Sequence, residues 1–163
     1  MRIISIDPGR TTGYCYAELD EVQHQMVYCP FQMVDDVDEF WHRLFKFAPK
    51  YVIIEDFEFR RGKAGAAGLD LFPVQLIGVA RLYELLAKGP DLPRLFIQKA
   101  STGKAYYTDN VLKGQGLYKR ALPHGMDASR HLLQWLTFGF GNQFIGTRQD
   151  FARLVELEHF ASE

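Results

Sequence analysis

The sequence has little of several features that would settle its class at once. Among its 163 residues are only two cysteines, Cys15 and Cys29. Two are too few for a disulfide framework or a four-cysteine zinc site. No apolar run approaches the roughly 18 residues that a membrane helix needs. The N-terminus lacks a basic segment followed by an apolar one and a cleavage site, so no secretory signal is read. Internal repeats are missing, and no linker divides the chain. Net charge is nearly absent too, at −1. These gaps leave a soluble protein of a reducing cytoplasm as the expectation. The length suits one domain over residues 1–163, with 141–163 read as a weakly helical tail or extra helix.

What is present is unevenly spread. Residues 1–59 carry a charge balance of −6, residues 60–130 of +7 and residues 131–163 of −2. A basic middle in a neutral chain suits contact with an anionic polymer, although a solvated mixed surface has the same totals. Aromatic residues make up 14%. They serve cores and interfaces, and they also serve as stacking surfaces for bases.

The pattern of apolar residues gives an element order. "RIISID" reads as a strand buried on both faces. "TGYCYAEL" and "EVQHQMVYCPF" read as a second and third strand in hairpin connection. "DDVDEFWHRLFKFA" has helical spacing, with acids in its first turn where the helix dipole favours them. "KYVIIEDFEF" is a fourth strand, and the Gly/Ala-rich "RRGKAGAAG" after it is a loop. A long helix over 69–88 follows, with Pro73 tolerable near its start and Gly89 as its stop. "PRLFIQK" is a fifth strand. "ASTGKAYYTDNVLKGQG" predicts one short helix ending at Gly114 and Gly116. A last helix runs from Pro123 or Met126 to Phe138. This order predicts an α/β fold: a mixed five-stranded sheet, first an antiparallel meander and then parallel crossovers, with helices on both faces.

Three acids stand at pointed places in that order. Asp7 ends the first strand, Glu55 ends the fourth, and Asp127 begins the last strong helix. Sheet neighbours would bring Asp7 and Glu55 together, and a helix crossing that edge would add Asp127. Three convergent carboxylates cannot all stay ionised without a cation among them. Such oxygen ligands suit Mg²⁺ or Mn²⁺, and two ions can clamp the attacking and leaving oxygens of a phosphodiester. His131 lies one turn beyond Asp127 on the same helix face, as a nitrogen ligand or proton carrier. Each has a plainer alternative: Asp7 as a turn former before Pro8-Gly9, Asp127 as a helix cap, His131 as a packed side chain. Asp56 should face away from Glu55, and His124 reads as a loop residue.

Together, "IISIDPGRTTGY", "YVIIEDF" and "HGMDASRHLLQWL", in this order and spacing, resemble the RuvC-like Holliday-junction resolvases of the RNase H-like superfamily. The resemblance covers about residues 1–140 and is closest to the short phage-encoded branch. It implies a metal-dependent endonuclease that cuts branched DNA, four-way junctions above all and also forks and flaps, leaving 5′-phosphate and 3′-hydroxyl ends. It also implies a homodimer, two Mg²⁺ ions with Mn²⁺ as a substitute, and the host cytoplasm if the chain is phage-encoded. Metal-binding catalytic roles fall on Asp7, Glu55 and Asp127. Members of the family often carry a fourth acid one turn beyond the third. That position here is Arg130, so the role is lost or passes to His131. DNA contacts are expected from Arg60, Arg61 and Lys63 in the basic loop, and from Lys99, Lys104 and Arg130. Phe57, or Phe59, is a candidate wedge for an unpaired junction centre.

Other readings compete. "IDPGRTTG" also looks like the first phosphate motif of the actin and sugar-kinase ATPases, but those need a second half and more than twice this length. An RNA-processing nuclease of the same superfamily and a branched-DNA-binding protein that does not cut both stay open.

Overall fold

The computed structural model describes residues 1–20, 25–57, 70–87, 92–139 and 155–156. Their strands form one mixed sheet. β1 (Arg2–Asp7), β2 (Thr11–Asp20) and β3 (Gln25–Val34) make the antiparallel meander. β4 (Tyr51–Glu55) returns parallel to β1, and β5 (Arg94–Gln98) lies parallel to β4. The five-stranded order is thus β5-β4-β1-β2-β3. A two-residue strand β6 (Val155–Glu156) adds to the free edge of β3 in parallel, so at these two residues the helical expectation for the tail gives way to a strand.

Helices cover both faces, as the strand alternation requires. On one face α1 (Val37–Phe47) and α2 (Phe72–Leu86) pack Phe40, Leu44, Leu76 and Ala80 onto Ile4, Ile6, Tyr14, Val52 and Ile54. Asp36 caps α1, its carboxylate accepting from the Glu39 amide at 2.8 Å. Pro73 sits in the first turn of α2, where its missing N–H costs no hydrogen bond. On the other face α5 (Pro123–Gln134) lays Met126, Ala128, Leu132 and Leu133 over Ile3, Cys15, Ala17 and Ile53. Each of these apolar side chains is almost wholly withdrawn from water, which is the main driving force for the two-layered core.

Three expectations shift. The stretch after β5 forms two helices, α3 (Ala100–Tyr106) and α4 (Asp109–Gly114), in place of one. The break falls where the Thr108 side chain accepts from the Val111 amide and starts a new helix. The last helix is regular only to Gln134 and continues as a single π-helical turn over Trp135–Gly139. β4 stops at Glu55, short of Phe57.

Gly13 is a close-approach glycine. It lies inside β2, directly opposite Asp7. A Cβ on it would stand 2.0 Å from the carbonyl oxygen of His124. Gly125 repeats the device, because a Cβ there would stand 2.9 Å from the Phe31 carbonyl oxygen. Two bare glycines thus let the first turn of α5 rest on the sheet beside the end of β1.

Candidate active site

The register sets the site. Ser5 pairs with Ile53 and Ile6 with Ile54, so Asp7 and Glu55 follow side by side at the ends of parallel strands. Glu55 in turn pairs with Gln98 at the end of β5. Strand alternation puts all three side chains on the face that α5 covers. Asp127 and His131, one helical turn apart, come down over that row.

Every acid in the row has an internal partner. His124 Nδ1 lies 3.0 Å from Asp7 Oδ2. His131 Nε2 lies 2.9 Å from Glu55 Oε2, and its Nδ1 lies 2.8 Å from Gln98 Oε1. Asp127 receives Lys104 Nζ at 2.9 Å and the Arg130 guanidinium. Burial, and then the negative field of Glu55, push the Asp7 carboxyl up to about 6, with Asp127 adding to the rise and the contact with His124 opposing it. The carboxylates therefore share one electrostatic field, and that field favours an added cation.

A divalent metal ion fits the donor chemistry: three carboxylates from three elements, one of them raised by burial and by the negative charge of its neighbours. Among the described residues, no three His, Cys, Asp or Glu side chains are arranged so that they could hold a metal ion without rearrangement. Lys104 and Arg130 offset the charge of Asp127 in this arrangement, and the two histidines hydrogen-bond Asp7 and Glu55.

The sequence-derived residues fare differently. Asp7, Glu55, Asp127 and His131 come together. His131 is 1% exposed, with both ring nitrogens engaged, so neither is left to face a metal. Arg130, expected on DNA, is buried. Its guanidinium binds Asp127, Asp109 and the Tyr107 carbonyl oxygen. Lys99 is exposed at the start of α3, and Lys104 stands at the rim with its side chain 55% exposed. Phe57 is half-buried just past β4. Arg60, Arg61, Lys63 and Phe59 lie outside the described residues. Sequence reasoning missed His124 and Gln98. Gln98 is the strand-end neighbour of Glu55, a signal available once β4 and β5 are paired. His124 had no local signal, because its place follows from the contact of α5 with Gly13.

No protein-family model matches the chain, and no curated protein matches it. Solved structures do. Thermus thermophilus RuvC in complex with a Holliday junction substrate superposes with a TM-score of 0.57 at 14% identity, over 85% of this chain and 95% of that one. A further structure of Thermus thermophilus RuvC gives 0.56 at 14% identity, over 85% and 97%. The Holliday junction resolvase of fowlpox virus gives 0.52 at 13% identity, over 83% and 97%. The chain thus has the RuvC-like, RNase H-like fold, as the three sequence motifs imply. The narrower likeness to the phage-encoded branch rests on sequence alone. No helix of the described residues is long and apolar enough to cross a membrane.

Proposed function

We propose that this protein is a metal-dependent, structure-selective DNA endonuclease that cuts Holliday junctions and related branched DNA, leaving 5′-phosphate and 3′-hydroxyl ends. The observation that carries the reading is the meeting of Asp7, Glu55 and Asp127 under α5, in a fold shared with a RuvC solved on a junction. Asp7, Glu55 and Asp127 would hold Mg²⁺, with Mn²⁺ as a substitute. When bound there, the ion supplies an activated water and stabilises charge on the phosphodiester oxygens. The chain's own residues do the rest. Lys104 offers an ammonium at the rim for a phosphate, and Lys99 extends that charge along α3. His124, beside Asp7, is placed to accept or release a proton next to the carboxylate. Arg60, Arg61, Lys63 and Phe57 are proposed DNA contacts on sequence grounds. Arg130 instead holds Asp127 in place.

A homodimer accounts for paired cuts on a four-fold substrate. The buried side of α2 uses Leu76, Ala80 and Tyr83, while Leu71, Val74, Leu82 and Leu85 are 49%, 43%, 45% and 73% exposed along its other side. We place the dimer contact on that exposed stripe.

The test is a substrate panel: labelled four-way junction, fork, flap, linear duplex and RNA hybrid, each with and without Mg²⁺ or Mn²⁺. Metal-dependent nicking of the junction in preference to duplex is expected. Preference for the RNA hybrid makes the protein an RNA-processing nuclease. Tight junction binding with no cut under either metal makes it a binding protein.

A further inference from the structure

We infer that Gln98 and His131 form a positioning pair that fixes the Glu55 carboxylate for metal binding, and that His131 is not itself a ligand. The inference rests on the metal-site reading above and goes beyond it.

The geometry is a linear chain of contacts from α5 into the sheet. A carboxylate only accepts, so the 2.9 Å contact places a proton on His131 Nε2 that is donated to Glu55 Oε2. The opposite ring nitrogen meets the Gln98 carboxamide at 2.8 Å. An amide can present either oxygen or NH₂, so Gln98 satisfies Nδ1 whatever that nitrogen carries. Both nitrogens are thereby occupied, and the ring is 1% exposed. An imidazole held at both ends in a dry site cannot rotate without losing two hydrogen bonds.

The surroundings hold it there. Glu55 and Gln98 are register partners on adjacent parallel strands, so their spacing is set by the sheet. His131 is brought down by close packing of α3 on α5. A Cβ on Gly103 would stand 3.0 Å from the Arg130 Cβ and 3.1 Å from the His131 amide nitrogen, so a larger residue there would press the two helices slightly apart. Glu55 has three rotatable side-chain bonds, and its side chain is 16% exposed. Left alone at a strand end, it would sample several rotamers, at a cost in entropy when a metal fixes one. The contact with His131 removes that freedom beforehand. Partners of this kind typically contribute 10- to 100-fold in metal affinity.

The experiment measures Mn²⁺ binding to the full chain without DNA, by electron paramagnetic resonance of free Mn²⁺, for wild type, Gln98→Leu, His131→Leu and His131→Gln. The amide nitrogen of a glutamine reaches the place of Nε2, so His131→Gln keeps the donor to Glu55. Thermal melts and junction binding in Ca²⁺ check that each variant is folded, and affinities are compared per folded molecule. The expected result is a 10- to 100-fold weaker affinity for both leucine variants, and a value within about threefold of wild type for His131→Gln. If His131→Gln loses as much as His131→Leu, the histidine is a ligand and the inference falls. If no variant changes Mn²⁺ affinity, the pair is purely structural and the inference also falls. A wild type that binds Mn²⁺ but cuts no junction contradicts the nuclease reading and leaves the positioning role standing. A wild type that binds no Mn²⁺ overturns the inference with the metal site.

Discussion

Asp7 shows at the scale of one residue how function and stability oppose each other. Its folded-state carboxyl titrates near 6, against 3.8 for the ordinary group. Between those values the folded protein binds more protons than the unfolded chain. The stability linked to neutral Asp7 is therefore complete below about pH 4 and is lost as pH rises through about 6. The difference corresponds to about 3 kcal/mol at most. Asp7→Asn should accordingly raise the stability of the metal-free protein relative to wild type, by an amount that grows from pH 4 to pH 7 and then levels off. Paired denaturation curves across that range check it, and a constant difference would contradict it. The three acids were legible in the sequence because each ends a recognisable apolar run or opens a recognisable helix. His124 was not: its Pro-His-Gly context reads as a loop, whereas the structure puts it in the first turn of α5. Arg130 read as surface charge, because its partner Asp109 lies on a helix whose start was not recognised.

The elements matter through how closely α5 sits on the sheet. Gly13 and Gly125 set that distance, and α5 carries His124, Asp127 and His131 together. Gly13→Ala must push the His124 carbonyl away or distort β2. A cost of at least about 3 kcal/mol is expected, at the upper end of ordinary overpacking. Metal-dependent activity of the folded fraction should fall with it. Chemical denaturation together with single-turnover cleavage would show both, and an unchanged midpoint would contradict the contact. The elements themselves were largely legible from strand alternation and helical spacing. The split between α3 and α4 was missed although Thr108, followed by Asp109, is an ordinary helix start. The π-helical turn after Gln134 has no sequence signature of its own.

At the scale of the whole molecule, sheet order follows from simple rules. A meander with short connections stays antiparallel, and helix-bearing crossovers bring β4 and β5 in parallel. That order puts the ends of β1, β4 and β5 in one row, which is why the acids at two of those strand ends mark the site in the sequence. The pairing of Val155–Glu156 with β3 was illegible, since two residues offer no alternation to read. The exposed stripe on α2 belongs to this scale too. Replacing Leu82 and Leu85 with glutamate should yield a monomer by light scattering where the wild type is a dimer, while the melt of each subunit is preserved because neither side chain is in the core. A wild type already monomeric at micromolar concentration would remove the dimer from the account.

The central claim is that the acids gathered by β1, β4 and α5 cut branched DNA with a divalent ion. It is tested most directly by incubating wild type and Asp7→Asn with a labelled four-way junction, with and without Mg²⁺. Paired nicks by wild type in Mg²⁺ alone are predicted, with none by Asp7→Asn despite unchanged junction binding. Cleavage by Asp7→Asn at the wild-type rate would contradict the account.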